Sequence, residues 1–134
     1  MEDDILKILI AEDDHVSAKL LEVVLSPYGE CEIKRDGKTA LRAYEDSHSK
    51  KDSYDLVCMD IMMPEINGID VLKMIRKIEG KKENRKTKII MITALGDLSN
   101  INKAFRAGCD GYITKPVDEN RLMLKLQNLG LIQN

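Results

Sequence analysis

The sequence predicts an α/β fold in which a parallel sheet is wound with helices on both faces. Three observations carry this reading. Five short apolar runs alternate along the chain with five segments of helical periodicity, the pattern of repeated strand–helix–strand units. The runs near residues 6–11, 55–59 and 89–92 are almost wholly apolar rather than alternating, as strands covered on both faces must be. Four of the five runs end in residues able to do chemistry: Glu12 and Asp13, Asp60, Thr93, and Lys115.

The first strand, residues 6–11, stops at Glu12-Asp13-Asp14. A helical pattern follows, with Val16, Leu20 and Val24 on one face and Leu21 and Leu25 beside it, ended by Pro27 and Gly29. A weaker strand over 31–34 leads through Arg35-Asp36-Gly37 into a second helix over 38–45, which fades into a polar stretch at 46–53. The central strand, 55–59, delivers Asp60 at its C-terminal end just before a Met63-Pro64 turn. After Asn67-Gly68, the spacing of Ile69, Leu72, Ile75 and Ile78 predicts a third helix, ended by Gly80 and a charged run. The fourth strand, 89–92, closes with Thr93, and Gly96-Asp97 opens a helix that ends at Gly108. A short fifth strand, 111–114, ends at Lys115-Pro116, and Asp118 caps a last helix with Leu122, Leu126 and Leu129 on one face.

Size and charge narrow the functional classes. The 134 residues suit one core rather than two, so a single domain over 1–134 is expected. A net charge of −2 gives no electrostatic reason for nucleic acid or an anionic membrane as partner. No apolar run approaches a membrane span, and the acidic start Met1-Glu2-Asp3-Asp4 is unlike a secretory signal. Cys31, Cys58 and Cys109 are odd in number and lack metal-ligand spacing. The expectation is a cytoplasmic domain. The basic run 77–88 holds six Lys or Arg against two Glu, but it joins a helix to the next strand without an interleaved aromatic. It reads as a solvated loop at the far sheet edge.

In a parallel sheet every strand-to-helix connection falls at one edge, and ligands bind beyond the carboxyl ends of the strands. Alone, each strand-end residue has an ordinary role as a turn, cap or surface residue. Together they put three carboxylates, a hydroxyl and an ammonium in one cleft. Crowded carboxylates repel unless a cation lies among them, and oxygen donors of this kind suit Mg²⁺. A lysine beside them adds compensating charge and a contact for phosphate.

These residues resemble a known family closely. Ile8-Leu9-Ile10-Ala11-Glu12-Asp13-Asp14, Met59-Asp60-Ile61-Met62-Met63-Pro64 with Gly68, Ile92-Thr93-Ala94, and Gly111-Tyr112-Ile113-Thr114-Lys115-Pro116 match the motifs of response regulator receiver domains (CheY-like). The resemblance implies a flavodoxin-like sheet of order 2-1-3-4-5. It implies that Asp60 accepts a phosphoryl group from a histidine kinase or phosphotransfer protein. Asp13, Asp60 and the Met62 backbone carbonyl would ligate Mg²⁺, with Glu12 acting through water. Thr93 and Lys115 would contact the phosphoryl, and a cis Lys115–Pro116 bond is implied. Thr93 and Tyr112 would form the switch. The output surface would be the fourth helix, fifth strand and fifth helix, including Asn102, Arg106 and Tyr112, presented to a downstream protein.

Two departures modify the expectation. Met62 and Leu95 stand where many relatives carry polar side chains that could hold an attacking water, which predicts slow dephosphorylation. The output face lacks the regularly placed charges of one dimer mode, so a monomer or weak dimer is expected. An aspartyl-phosphate phosphatase would want an acid where Met62 stands. A flavin- or nucleotide-binding flavodoxin-like module would want a Gly- or Ser/Thr-rich loop where Glu12-Asp13-Asp14 stands. His15 and His48 read as exposed or loop residues rather than as ligands or phosphotransfer groups.

Overall fold

The structure is a computed structural model that describes residues 5–80, 87–94 and 96–133. Leu95 and residues 81–86, half of the basic run 77–88, therefore lie outside the described residues. The elements alternate as β1 (Leu6–Ala11), α1 (His15–Leu25), β2 (Gly29–Lys34), α2 (Gly37–Ser49), β3 (Leu56–Asp60), α3 (Gly68–Glu79), β4 (Lys88–Thr93), α4 (Leu98–Ala107), β5 (Gly111–Thr114) and α5 (Glu119–Asn128). A short 3₁₀ turn, Ser26–Tyr28, joins α1 to β2. All neighbouring strands are parallel, in the order β2-β1-β3-β4-β5. This is the flavodoxin-like α/β fold.

The sequence explains the order of burial. β1, β3 and β4 are central, so both faces are covered and their side chains are apolar irrespective of parity. Alternate residues then feed two cores. Leu9, Val57, Met59, Ile89 and Met91 pack against α2, α3 and α4. Ile8, Ile10, Cys58, Ile90 and Ile92 face Leu21 and Leu25 of α1 and Leu122 and Leu126 of α5. Each fully buried Leu or Ile contributes about 1.5–3 kcal/mol, which fixes the strand register and with it the relative heights of the strand ends.

Two helices differ from expectation. α1 buries Ala18, Leu21, Val24 and Leu25, whereas Val16 is 76% exposed and Leu20 also reaches solvent. The core stripe is therefore the one through Leu21 and Leu25. α2 runs on to Ser49, through much of the stretch read as polar coil. Its last turns are held by polar and aromatic contacts: the Lys7 ammonium donates to Ser47 Oγ at 3.1 Å, and Tyr44 stacks on His48 with ring centroids 5.9 Å apart. Among the described residues no helix is long and apolar enough to cross a membrane.

Candidate functional site

At the C-terminal end of β3 the chain must turn away from the sheet while keeping Asp60 in place. Ile61 N–H continues the ladder to Ile92 O at 2.9 Å, and Gly68 N–H closes the loop on Ile61 O at 2.8 Å. A Cβ at Gly68 would overlap the Asp60 carbonyl oxygen, so only glycine permits this approach. Asn67 then caps α3 by accepting from Asp70 N–H at 3.0 Å. Asp60, 4% exposed as a residue, accepts the Met62 N–H on Oδ1 at 3.1 Å. Met62 itself is 63% exposed at the mouth of the cleft.

β1 delivers the other acids. Glu12 N–H makes the last bond to β2, at Lys34 O (3.0 Å), and its side chain is fully buried. Asp13 is exposed beside it, and Asp14 caps α1 by accepting Ser17 N–H at 2.8 Å. One carboxylate oxygen from each of Glu12, Asp13 and Asp60 lies within 4.8 Å of the other two. From the far side β5 ends in a cis Lys115–Pro116 bond, and Lys115 N–H donates to Thr93 O at 2.8 Å. Its ammonium stands 3.3 Å from Asp60 Oδ2 and 3.2 Å from Glu12 Oε2.

The electrostatics of the cluster are unbalanced. Burial, reinforced by Asp60 nearby, pushes the Glu12 carboxyl up to about 7 against the bond it accepts from Asp14 N–H. Burial works to lower the Lys115 ammonium, but its bond to Glu12 and the charge of Asp60 outweigh this and raise it. One ammonium faces three carboxylates. Glu12 Oε1 is 3.1 Å from Lys115 Nζ yet takes part in no hydrogen bond. An all-oxygen donor set with surplus negative charge and an unsatisfied buried oxygen fits a hard divalent cation.

The structure thus brings together Glu12, Asp13, Asp60 and Lys115, with Thr93 at the adjoining end of β4. Thr93 is buried, and its hydroxyl donates a long 3.4 Å bond to Ala94 O. Tyr112 lies farther back on β5, edge-on to Phe105 of α4 with centroids 6.1 Å apart. The Lys125 ammonium sits 5.7 Å from the Tyr112 ring centroid. Leu98, Ile101, Tyr112, Arg121 and Leu124 line a groove of about 480 Å³ between α4 and α5. One residue at the cleft rim escaped the sequence reading: Arg35, in the turn after β2, hydrogen-bonds the backbone of Glu12 and Asp13. Its partners are main-chain carbonyls more than twenty residues away, which leave no pattern in sequence.

Comparison with known proteins agrees with this geometry. The profile of the response regulator receiver domain family matches residues 8–127. Over 117 residues the chain is 37% identical to hybrid signal transduction histidine kinase I of Dictyostelium discoideum, covering 87% of the chain but 7% of that protein. Over 122 residues it is 34% identical to response regulator ArlR of Staphylococcus saprophyticus, covering 90% of the chain and 50% of that protein. The chain thus spans at most half the length of these relatives. Among solved structures it resembles the receiver domain of a Pseudomonas aeruginosa sensor histidine kinase, crystallised with a magnesium ion coordinated in its active-site cleft. That likeness has a TM-score of 0.76 and 28% identity, covering 92% of this chain and 96% of the other. The chain belongs to the response regulator receiver domains, the regulatory receivers of two-component signalling.

Proposed function

We propose that the chain acts as a single cytoplasmic phospho-accepting switch. Asp60 takes a phosphoryl group from a histidine kinase or phosphotransfer protein in a Mg²⁺-dependent reaction, and the surface of α4, β5 and α5 passes the change to a downstream protein. The observation that carries this reading is the setting of Asp60: a buried strand-end carboxylate, clustered with two further acids and held 3.3 Å from a single ammonium.

In the transfer, an Asp60 carboxylate oxygen forms a new P–O bond as the P–N bond of the donor phosphohistidine breaks and the imidazole leaves with the electron pair. Lys115 offsets charge on the transferring oxygens, and the Thr93 hydroxyl donates to one of them. Asp13, Asp60 and the Met62 carbonyl are suited to hold Mg²⁺ directly, with Glu12 acting through water. The bound ion supplies positive charge beside the phosphoryl oxygens.

The readout follows from strand register. Met91 pairs with Tyr112 and Thr93 with Thr114, so Thr93 and Tyr112 share one face of adjacent strands. A phosphoryl on Asp60 draws the Thr93 hydroxyl inward from its long bond to Ala94, and Tyr112 turns toward the space behind it. That rotation leaves the edge-on contact with Phe105 and changes the groove between α4 and α5. The test is incubation with Mg²⁺ and acetyl phosphate followed by intact-mass analysis. Wild type is expected to gain one phosphoryl group and Asp60→Asn none; an unlabelled wild type would overturn the reading.

A further inference from the structure

Beyond the residues that meet the phosphoryl group, we propose that Arg35 is a positioning residue that braces the acidic end of β1 for divalent-cation binding. The inference rests on the reading of Glu12, Asp13 and Asp60 as a cation site.

β1 and β2 pair as far as Ala11 and Lys34, and Glu12 N–H makes the final ladder bond. Past this point the carbonyls of Glu12 and Asp13 have left the ladder, in a segment whose acids repel one another. Arg35 takes both. Its Nε donates to Glu12 O at 3.2 Å and its Nη2 to Asp13 O at 2.7 Å, while Nη1 faces His15 Nδ1 at 2.9 Å. The main chain that carries Arg35 is itself well anchored. On one side Lys34 is locked in the sheet, and on the other Asp36 caps α2 by accepting Thr39 N–H at 2.8 Å. A planar fork with fixed donors, held between a strand end and a helix cap, sets two successive peptide planes of the β1–α1 turn. Those planes determine where the Glu12 and Asp13 side chains point relative to Asp60.

Charge and geometry make opposite predictions, so the role can be decided. A bare positive charge at the cleft rim repels Mg²⁺, and its removal would tighten binding. A brace pre-organises the ligands, and its removal loosens them despite the gain in negative potential. Lysine keeps the charge but cannot hold two carbonyls in a fixed plane.

The experiment is a calorimetric Mg²⁺ titration of the unphosphorylated chain as wild type, Arg35→Met and Arg35→Lys. Acetyl phosphate labelling over a range of Mg²⁺ concentrations and melting points in EDTA accompany it. Both variants are expected to bind Mg²⁺ more weakly, on the order of 10-fold for Arg35→Met, with labelling recovered at saturating Mg²⁺. Unchanged or tighter binding by Arg35→Met overturns the brace, as does wild-type affinity in Arg35→Lys or a melting-point loss with no change in affinity. Should Arg35→Met fail to fold, Arg35→Lys decides on the same criterion. A wild type that binds no Mg²⁺ overturns the cation site itself, and the brace with it.

Discussion

At one edge of the sheet Arg76 sits between Glu79 and Asp110; at the other Lys115 sits between Glu12 and Asp60. The groups are alike, but the first cluster is saturated. Arg76 donates to Glu79 Oε1 at 2.9 Å, Thr87 O at 2.8 Å, Gly108 O at 2.9 Å and Asp110 Oδ2 at 2.8 Å. The carboxylates also accept backbone amides, Thr87 N–H on Glu79 at 2.7 Å and Ile89 N–H on Asp110 at 2.8 Å. That cluster ties the ends of α3 and α4 to the start of β4, and among the described residues no buried oxygen of Glu79 or Asp110 is left without a partner. The Lys115 cluster has a third carboxylate, a Glu12 carboxyl pushed up to about 7 and an oxygen without a hydrogen bond. Buried charge that is fully partnered holds structure together, whereas buried charge left short of partners is costly in the free chain and leaves room for a cation to complete the set.

Removing the cation should therefore have opposite consequences at the two edges. Lys115→Met is expected to slow acetyl phosphate labelling on the order of 10²–10³-fold at saturating Mg²⁺, with little change in urea midpoint in the same Mg²⁺, where a bound cation still offsets the Glu12 and Asp60 carboxylates. Arg76→Met is expected to cost about 3 kcal/mol of stability, because it strands the buried Glu79 and the half-buried Asp110 carboxylates, and to leave the labelling rate of the folded fraction near wild type. Urea unfolding and intact-mass time courses on both variants measure the two effects. A Lys115 variant that loses stability instead of rate would erase the distinction.

The contrast also explains what the sequence could and could not disclose. The fold was readable because β1, β3 and β4 are buried on both faces, which forces continuous apolar runs. Asp60, Glu12, Asp13, Thr93 and Lys115 were readable because parallel topology collects strand ends at one edge whatever their separation in sequence. The inward face of α1 was not, since Val16, Leu20 and Val23 are apolar yet solvent-facing, and periodicity alone cannot choose between two apolar stripes. The length of α2 was hidden because Ser47 and His48 look like coil residues until Lys7 and Tyr44 are placed against them. Glu79 stands at helical i,i+3 spacing from Arg76, but the other partners of Arg35 and Arg76 are chiefly main-chain carbonyls and the distant Asp110, which no spacing rule announces.

A smaller effect concerns the lifetime of the proposed phosphoryl group. The Met62 thioether at the cleft mouth is a poor partner for an attacking water, so the half-life after donor removal is expected to be minutes to hours. Met62→Asn supplies a group that can orient water. One added hydrogen bond in the hydrolytic transition state is worth about 1–1.5 kcal/mol, or about tenfold in rate. Decay of the phosphorylated mass measures both. A wild-type half-life of seconds, or an unchanged rate in Met62→Asn, would remove Met62 from the account.

The effect most specific to the unbalanced cluster is on stability as pH changes. The Glu12 carboxyl rises from an ordinary value of 4.5 to about 7 in the folded chain, chiefly through burial. Below 4.5 it is protonated in both states and exacts no cost. Between 4.5 and about 7 the unfolded chain ionises while the folded chain keeps its proton, so folding becomes less favourable as pH rises, and the loss is complete above the folded value. In EDTA the melting point is therefore expected to fall between about pH 5 and about pH 8. Glu12→Gln should flatten that slope and raise the melting point at the alkaline end, because it removes the charge that burial opposes. Saturating Mg²⁺ should flatten it in wild type, since a bound cation favours the ionised carboxylate. The saturated cluster provides the contrast: Glu79→Gln is expected to lower the melting point, because it weakens the bonds to Arg76 and Thr87 N–H. If Mg²⁺ leaves the wild-type slope as steep as EDTA does, the surplus charge at Glu12 is not what a cation satisfies.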